Sequence, residues 1–328
     1  MFTFKPQITR PFSISGVQIH GVLNNFSLAR LHNSSLLQQQ DFHRQYTTAR
    51  KFTFVRNPYS RIYSAFCDKI LVGAIPSINH HIVSTNNNLT GESVPITSLL
   101  NTSFSDTLLY AAGRYTPNVN PHFEPEHSFC HTCSIQYEYI GKMETFDQDI
   151  RYILKSTNQS DMLETYANRK KDGYGKDLGA FKEVIWRTFY IVKHEDFYWD
   201  KTSCQVKDII FRCVWKLFKL RGFISDHVHY PVSVDEIFCD FDMKMFEKWT
   251  RKAVRKSGSK EELKAQKRKY YLEAFRSVPL SVLKVFRNSV QQTCDMFGYD
   301  CSPPDIFHGR KDGDEKISLF TDINYIYQ

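Results

Sequence analysis

What the chain has little of limits its class first. No run of apolar residues approaches the ~18–20 needed to cross a bilayer, so no membrane-spanning helix is expected from it. The opening stretch, Met1 to His20, lacks the continuous apolar core of a signal peptide. With 14 glycines and 12 prolines in 328 residues, collagen-like and low-complexity classes are excluded. Aromatics are plentiful at 15%, and 41% apolar against 24% charged residues gives enough material for a packed core and argues against wholesale disorder. The length suits one large domain or two small ones, taking about 150 residues per domain. A net charge of +8 points to an anionic partner, whether nucleotide, nucleic acid, acidic glycan or membrane surface, against the plain alternative of a solvated basic surface.

The eight cysteines are Cys67, Cys130, Cys133, Cys204, Cys213, Cys239, Cys294 and Cys301. Five Asn-x-Ser/Thr triplets begin at Asn25, Asn33, Asn88, Asn101 and Asn158. Together they favour a secretory compartment, although no targeting segment accompanies them.

Along the chain, Lys51–Val55 alternates and is rich in β-formers, which predicts a short buried strand. Asn57-Pro58 follows at once, an N-cap and a first-turn proline, so a helix should open there. Tyr59, Ile62, Tyr63, Phe66 and Ile70 recur at helical spacing and should form its core face. Residues 73–105 are polar and loop-like. A helix is expected over Phe104–Ala112, irregular chain over Pro117–His131, a strand over Ser134–Ile140, and a helix over Phe146–Leu154 capped by Thr145. Lys182–His194, Val206–Leu220, a helix opened by a capping box at Ser233–Glu236 and ending near Gly258, then Lys260–Arg276 and Leu280–Phe297, make the second half mainly helical. A strand feeding a helix, with further strands and many helices behind it, predicts an α/β fold with a parallel sheet.

Chemistry is concentrated between Phe54 and Lys69, FVRNPYSRIYSAFCDK. Arg56 stands at a strand end; a helix N-terminus follows, with Arg61 and Ser64 in its first two turns. Peptide N–H groups, a helix dipole, a guanidinium and a hydroxyl in one place suit a phosphate, against the plainer reading of a capped surface helix with solvated arginines. This stretch resembles the 3′-phosphate-binding segment of sulfotransferases that use 3′-phosphoadenylyl sulfate (PAPS), and most of all Golgi carbohydrate sulfotransferases of the chondroitin and dermatan type. In those enzymes an Arg after the strand and a Ser eight positions on hold the 3′-phosphate, which implies Arg56 and Ser64 here, with Arg61 beside them. Asn57 stands where the family usually has Asp, a change that keeps the N-cap. Two further blocks are similar to the same family in the same order: His122 to Cys133 (HFEPEHSFCHTC) with Ile135 to Glu144 (IQYEYIGKME), and Val278-Pro279-Leu280 with Asp295 to Tyr299 (DMFGY), the last at shorter spacing. The likeness covers roughly 36–155 and 277–300; 160–275 matches nothing in the family pattern.

The resemblance implies a P-loop-like sulfotransferase fold over 1–328 as a single domain, with a central parallel sheet and a largely helical C-terminal half. It implies PAPS as sulfate donor, a glycan acceptor and a lumenal Golgi location behind a membrane anchor. The family's upstream segment for the 5′-phosphosulfate, of Pro-Lys-x-x-x-Thr type, does not occur before Lys51, so the sequence is expected to lack anchor and loop by truncation.

Sulfuryl transfer needs a base for the acceptor hydroxyl and cations for the transferring group. Histidine titrates near neutrality, and His122 opens the second block, so it is the candidate base, with Glu124, Glu126 and His127 as rivals and a structural histidine as the plain alternative. Cys130-x-x-Cys133 with His127 and His131 lacks the second ligand pair of a structural zinc site, so no metal is expected; a disulfide use is expected instead, and Cys294–Cys301 is a second local pair. The basic runs Arg251–Lys256 and Lys264–Lys269 suit an anionic glycan or are solvated helix faces. No nucleic-acid motif accompanies them, so nucleic acid is not expected as a partner. Two alternatives to the enzyme remain: a non-catalytic relative that binds glycan or nucleotide, and a basic nucleic-acid-binding protein.

Overall fold

The computed structural model describes residues 50–71, 78, 81–82, 102–114, 119–130, 132–133, 135–171, 178–194, 204–233, 236–237, 240 and 242–310. Four of the sequons, at Asn25, Asn33, Asn88 and Asn101, lie outside them. Asn158 is exposed at a turn, in the left-handed region at φ 55°. Contacts divide the chain into units Met1–Phe52 and Thr53–Gln328.

Strand β1 spans Phe52–Val55 and pairs with β2, Tyr139–Lys142. The Phe54 ring lies where a Cβ on Gly141 would stand, and just past both strands the Asn57 N–H meets Glu144 at 2.9 Å. Mid-strand and end contacts advance in the same direction, so the pair is parallel. Among the described residues the sheet has these two strands. The second begins later than the expected 134–140; in it Gly141 faces the Phe54 ring, and the Lys142 N–H donates to the Asp149 carboxylate at 2.7 Å.

Helix α1, Pro58–Ala65, opens at Asn57, whose carboxamide accepts the Tyr59 and Ser60 N–H groups at 3.0 and 3.1 Å. It runs on through a π-helical turn, Phe66–Ile70. All five apolar residues expected on its core face are buried. Tyr59 carries the packing: its ring stands edge-on to Phe275, Phe286 and Phe307, and its hydroxyl donates to the Cys301 carbonyl at 2.6 Å.

The remaining helices are α2 (Phe104–Ala111), a single turn α3 (Glu126–Phe129), α4 (Phe146–Ser156), α5 (Ser160–Lys171), α6 (Leu178–His194), α7 (Cys204–Leu220), α8 (Met243–Lys256), α9 (Lys260–Arg276), α10 (Leu280–Phe297) and the short α11 (Pro304–Phe307). Helices α2 and α10 close over α1, while α6, α7, α8 and α9 pack against one another. Helix α7 is buried on nearly every side from Val206 to Leu220, including charged positions. Asp208 and Arg212, both about 2% exposed, pair at 2.7 Å. The Arg212 guanidinium also donates to the Ser233 and Glu236 carbonyls at 2.7 and 3.1 Å. The helix expected from Ser233 starts instead at Met243, capped by Asp242; Ser233, Glu236, Ile237 and Asp240 are not helical. Gly222 ends α7 at φ +70°, where an added Cβ would come within 2.6 Å of the Leu263 carbonyl oxygen.

Candidate active site

The C-terminal end of β1, the start of α1, the α3 turn, the chain after β2 and the end of α10 meet at Arg56. Every peptide donor at the start of α1 is occupied. The Arg56 N–H donates to Glu126 Oε2 and the Asn57 N–H to Glu144 Oε1, each at 2.9 Å. Pro58 has no N–H, and Asn57 takes those of Tyr59 and Ser60. The helix terminus is therefore satisfied from within the chain, and an anion at this junction has to be held by side chains.

Arg56 is equipped for that. Its Nε donates to Ser60 Oγ at 3.1 Å, which sets the plane of the guanidinium. Among the described residues, its two terminal amino groups have no hydrogen-bond partner. Burial lowers its pKa, and the carboxylates of Glu144 and Glu126 offset this in part. A half-buried cation with an uncommitted fork favours an oxyanion that can accept two bonds. Ser64, half-buried, follows Ser60 by one turn on the same side of α1, roughly 6 Å further along the axis. Arg56, Ser60 and Ser64 thus lie along one line.

Arg61 faces elsewhere. Its guanidinium donates to the carbonyls of Glu124 (2.5 Å) and Pro121 (2.9 Å), and its Nε meets Glu126 Oε1 at 3.4 Å. All three bonds hold the 121–126 segment onto α1. The cavity beneath it, lined by Ile62, Phe123, Phe286 and Val290 among others, has room for about one water molecule.

That segment carries His122. The Asn120 carboxamide oxygen receives the His122 N–H at 3.1 Å and lies 2.7 Å from its Nδ1. An amide oxygen only accepts, so Nδ1 holds the proton and the lone pair falls on Nε2. Glu124 accepts from Ser128, and His127 Nδ1 lies 2.7 Å from Thr293 Oγ1. Burial lowers the His127 pKa and raises that of Glu126, against the pull of the Arg56 N–H and Arg61.

Two residues given no role from sequence complete the junction. Glu144 accepts the Tyr299 hydroxyl at 2.9 Å on its second oxygen, so it ties α1 to the end of α10. Lys142 lies 4.6 Å from the Tyr299 ring centre. Both Glu144 and Tyr299 fall in the family-like blocks, so the signal was present without a role attached. Ser60 too was given no role from sequence, although its spacing, four residues after Arg56, carried the signal.

The cysteines divide. Cys294 and Cys301 are bonded, as the local spacing suggested, and Cys204 is disulfide-bonded as well. Cys130 and Cys133 are not, which corrects the disulfide expectation for this motif. Each sulfur is held by a different element, Cys130 by Thr53 of β1 at 3.7 Å and Cys133 by Gln292 of α10 at 3.6 Å. Among the described residues no group of three His, Cys, Asp or Glu side chains could hold a metal ion. In the basic runs, Arg251, Arg268 and Lys269 each face a carboxylate of the same chain.

A strand that ends in arginine and turns into a capped helix with serines on one side can hold an oxyanion. The chain belongs to the sulfotransferase family, whose model matches residues 13–198. Among curated relatives it is similar to carbohydrate sulfotransferase 12 of Mus musculus, 28% identical over 152 residues, which is 42% of this chain and 36% of the relative. It is similar also to carbohydrate sulfotransferase 11 of Rattus norvegicus, 30% identical over 127 residues, 36% of each chain. Carbohydrate sulfotransferase 9 of Homo sapiens is 30% identical over 119 residues, covering 33% of this chain and 25% of the relative. The matches therefore span about a third of the length of these relatives or less. No solved structure matches the chain.

Proposed function

We propose that this chain transfers the sulfuryl group of PAPS to a hydroxyl of a glycan, as a single P-loop-like sulfotransferase domain working in the Golgi lumen. One observation carries the reading: the Arg56 guanidinium, oriented by Ser60 and half withdrawn from water, has its two amino groups uncommitted among the described residues. The Arg56 guanidinium and the Ser64 hydroxyl are a donor set that fits a ribose-linked phosphate, so Arg56 and Ser64 would hold the 3′-phosphate of the donor; Ser60, whose own O–H donates to the Asn57 carbonyl at 3.1 Å, orients Arg56. The donor supplies an activated sulfuryl group whose leaving oxygen belongs to its 5′-phosphate.

The chain's own part is to orient and to move one proton. As the acceptor oxygen bonds to sulfur and the sulfur–phosphate oxygen bond breaks, the acceptor hydroxyl proton passes to His122 Nε2. The bond to Asn120 keeps that nitrogen basic and stabilises the imidazolium that forms. Arg61 is a positioning residue: by gripping the Pro121 and Glu124 carbonyls it keeps the His122 segment in register with α1.

The test is transfer of labelled sulfate from PAPS to a panel of acidic and neutral glycans, read beside calorimetric binding of adenosine 3′,5′-bisphosphate. His122→Gln should lower kcat by about 10²–10⁴-fold and leave bisphosphate affinity unchanged. Bisphosphate binding without transfer would assign the chain to the non-catalytic relatives. Nucleic-acid binding with no bisphosphate binding would overturn the reading.

A further inference from the structure

Strand β2 ends in Lys142, a cation beside the Arg56 junction that has no part in the reading so far. Because β1 and β2 are paired and parallel, Arg56 and Lys142 leave the sheet at the carboxyl ends of neighbouring strands. In open α/β sheets ligands bind outside those ends. Tyr299 connects the two cations. The Lys142 Nζ lies 4.6 Å from the centre of its ring. Its hydroxyl donates to Glu144 Oε2, and Glu144 Oε1 accepts the Asn57 N–H, one peptide after Arg56, both at 2.9 Å. Tyr299 and Glu144 also act on the charge of Arg56. Guanidinium and ammonium therefore share the Tyr299–Glu144 pair as a neighbour.

The charges of the junction call for a further cation. Arg61 pairs with Glu126 at 3.4 Å, and the carboxylates of Glu126 and Glu144 both act on Arg56. Two guanidinium groups against two carboxylates leave no net charge, whereas a phosphate monoester carries about −1.5 to −2 at neutral pH. Lys142 makes the sum positive where that anion has to sit. It is half-buried, and among the described residues its ammonium makes no hydrogen bond or ion pair; the Tyr299 ring face is what holds it. A ring face holds a cation weakly, and a flexible four-carbon stem lets the head turn to a stronger anion.

We propose that Lys142 is a donor-binding residue whose ammonium leaves the Tyr299 ring and joins Arg56 and Ser64 on the 3′-phosphate of the nucleotide. Tyr299, tied to α1 through Glu144, keeps the ammonium beside the site until the nucleotide enters. The inference rests on the donor site proposed above and adds a third group to it.

Calorimetric titration of the full chain with adenosine 3′,5′-bisphosphate, and with adenosine 5′-monophosphate, which lacks the 3′-phosphate, tests this at several salt concentrations. The parent should prefer the bisphosphate. Lys142→Gln should weaken the bisphosphate about tenfold or more and flatten its salt dependence, while the monophosphate stays within about twofold. Lys142→Arg keeps the charge and should bind the bisphosphate within about threefold of the parent. Only a ring contact is lost from the fold, so the Tm of both variants should stay within about 3 °C of the parent. An equal loss for the two nucleotides in Lys142→Gln, or an equal loss in Lys142→Gln and Lys142→Arg, would show that this ammonium does not meet the 3′-phosphate. Weakening in Arg56→Ala but not in Lys142→Gln would sink the assignment of Lys142 and leave the donor site standing. A parent with no preference for the bisphosphate would instead remove the donor site itself.

Discussion

The two arginines of the junction should separate cleanly on mutation. Arg56 makes one side-chain hydrogen bond, to Ser60, so its loss removes about 1 kcal/mol of stability at most. Its amino groups can offer a phosphate two charge-assisted bonds, each worth about 1.5–3 kcal/mol. Replacing it with alanine should therefore weaken adenosine 3′,5′-bisphosphate binding by about 3 kcal/mol, roughly 150-fold in Kd. Arg56→Lys restores charge without the fork and should recover about half of that. Arg61 should behave in the opposite way. It satisfies two carbonyls and the Glu126 carboxylate, in a pair whose side chains are 20% and 9% exposed. Arg61→Ala leaves the Pro121 and Glu124 carbonyls without their donor and the buried Glu126 with the Arg56 N–H alone, and should destabilise by about 3 kcal/mol, lowering Tm by roughly 6–12 °C in a unit of this size. Calorimetry for binding and thermal melts for stability read both effects on the same preparations. Bisphosphate affinity within twofold of the parent in Arg56→Ala, or a Tm unmoved in Arg61→Ala, would refute the division of labour.

Two further outcomes concern the frame. Burial, with repulsion from Lys219, lowers the Lys216 pKa to about 7. Between there and the ordinary lysine value the unfolded chain carries a proton that the folded one does not, so stability should rise with pH through that window. Lys216→Met should stabilise by about 1–3 kcal/mol at pH 7 and flatten the rise; parallel urea-midpoint profiles for the two proteins would show that no buried ammonium is in play. The Cys294–Cys301 bond closes a short loop, seven residues in separation, and carries the carbonyl that takes the Tyr59 hydroxyl. Serine at both positions should destabilise by about 2–3 kcal/mol by the loop-entropy relation, seen as a lower calorimetric Tm that added reductant, left with the Cys204 bond, shifts less than it shifts the parent.

Helix α1 was legible from the chain because its causes are local. Asn57 and Pro58 mark its start within two residues, and the core face from Tyr59 to Ile70 is set by helical periodicity. The same locality made α9 and α10 readable, Gly298 closing the latter in the left-handed conformation at φ +65°. It failed at Ser233, where a capping pattern was present but the helix opens at Met243 and the Ser233 and Glu236 carbonyls accept from a guanidinium of α7. It failed again at Cys130 and Cys133, whose close spacing did not reveal that β1 and α10 hold them separately.

The amino-acid order by itself determined that a strand ends in arginine and turns into a capped helix with serines on one side, since each step depends on residues no more than four apart. Tertiary structure alone decided which arginine keeps its amino groups uncommitted among the described residues. Arg56 and Arg61 are chemically the same group five positions apart. What distinguishes them is where residues 121–126 lie, and that depends on contacts some sixty residues away in the chain. Glu144 and Tyr299, 155 residues apart, close the junction for the same reason: a hydrogen bond depends on distance in space, which local sequence does not encode.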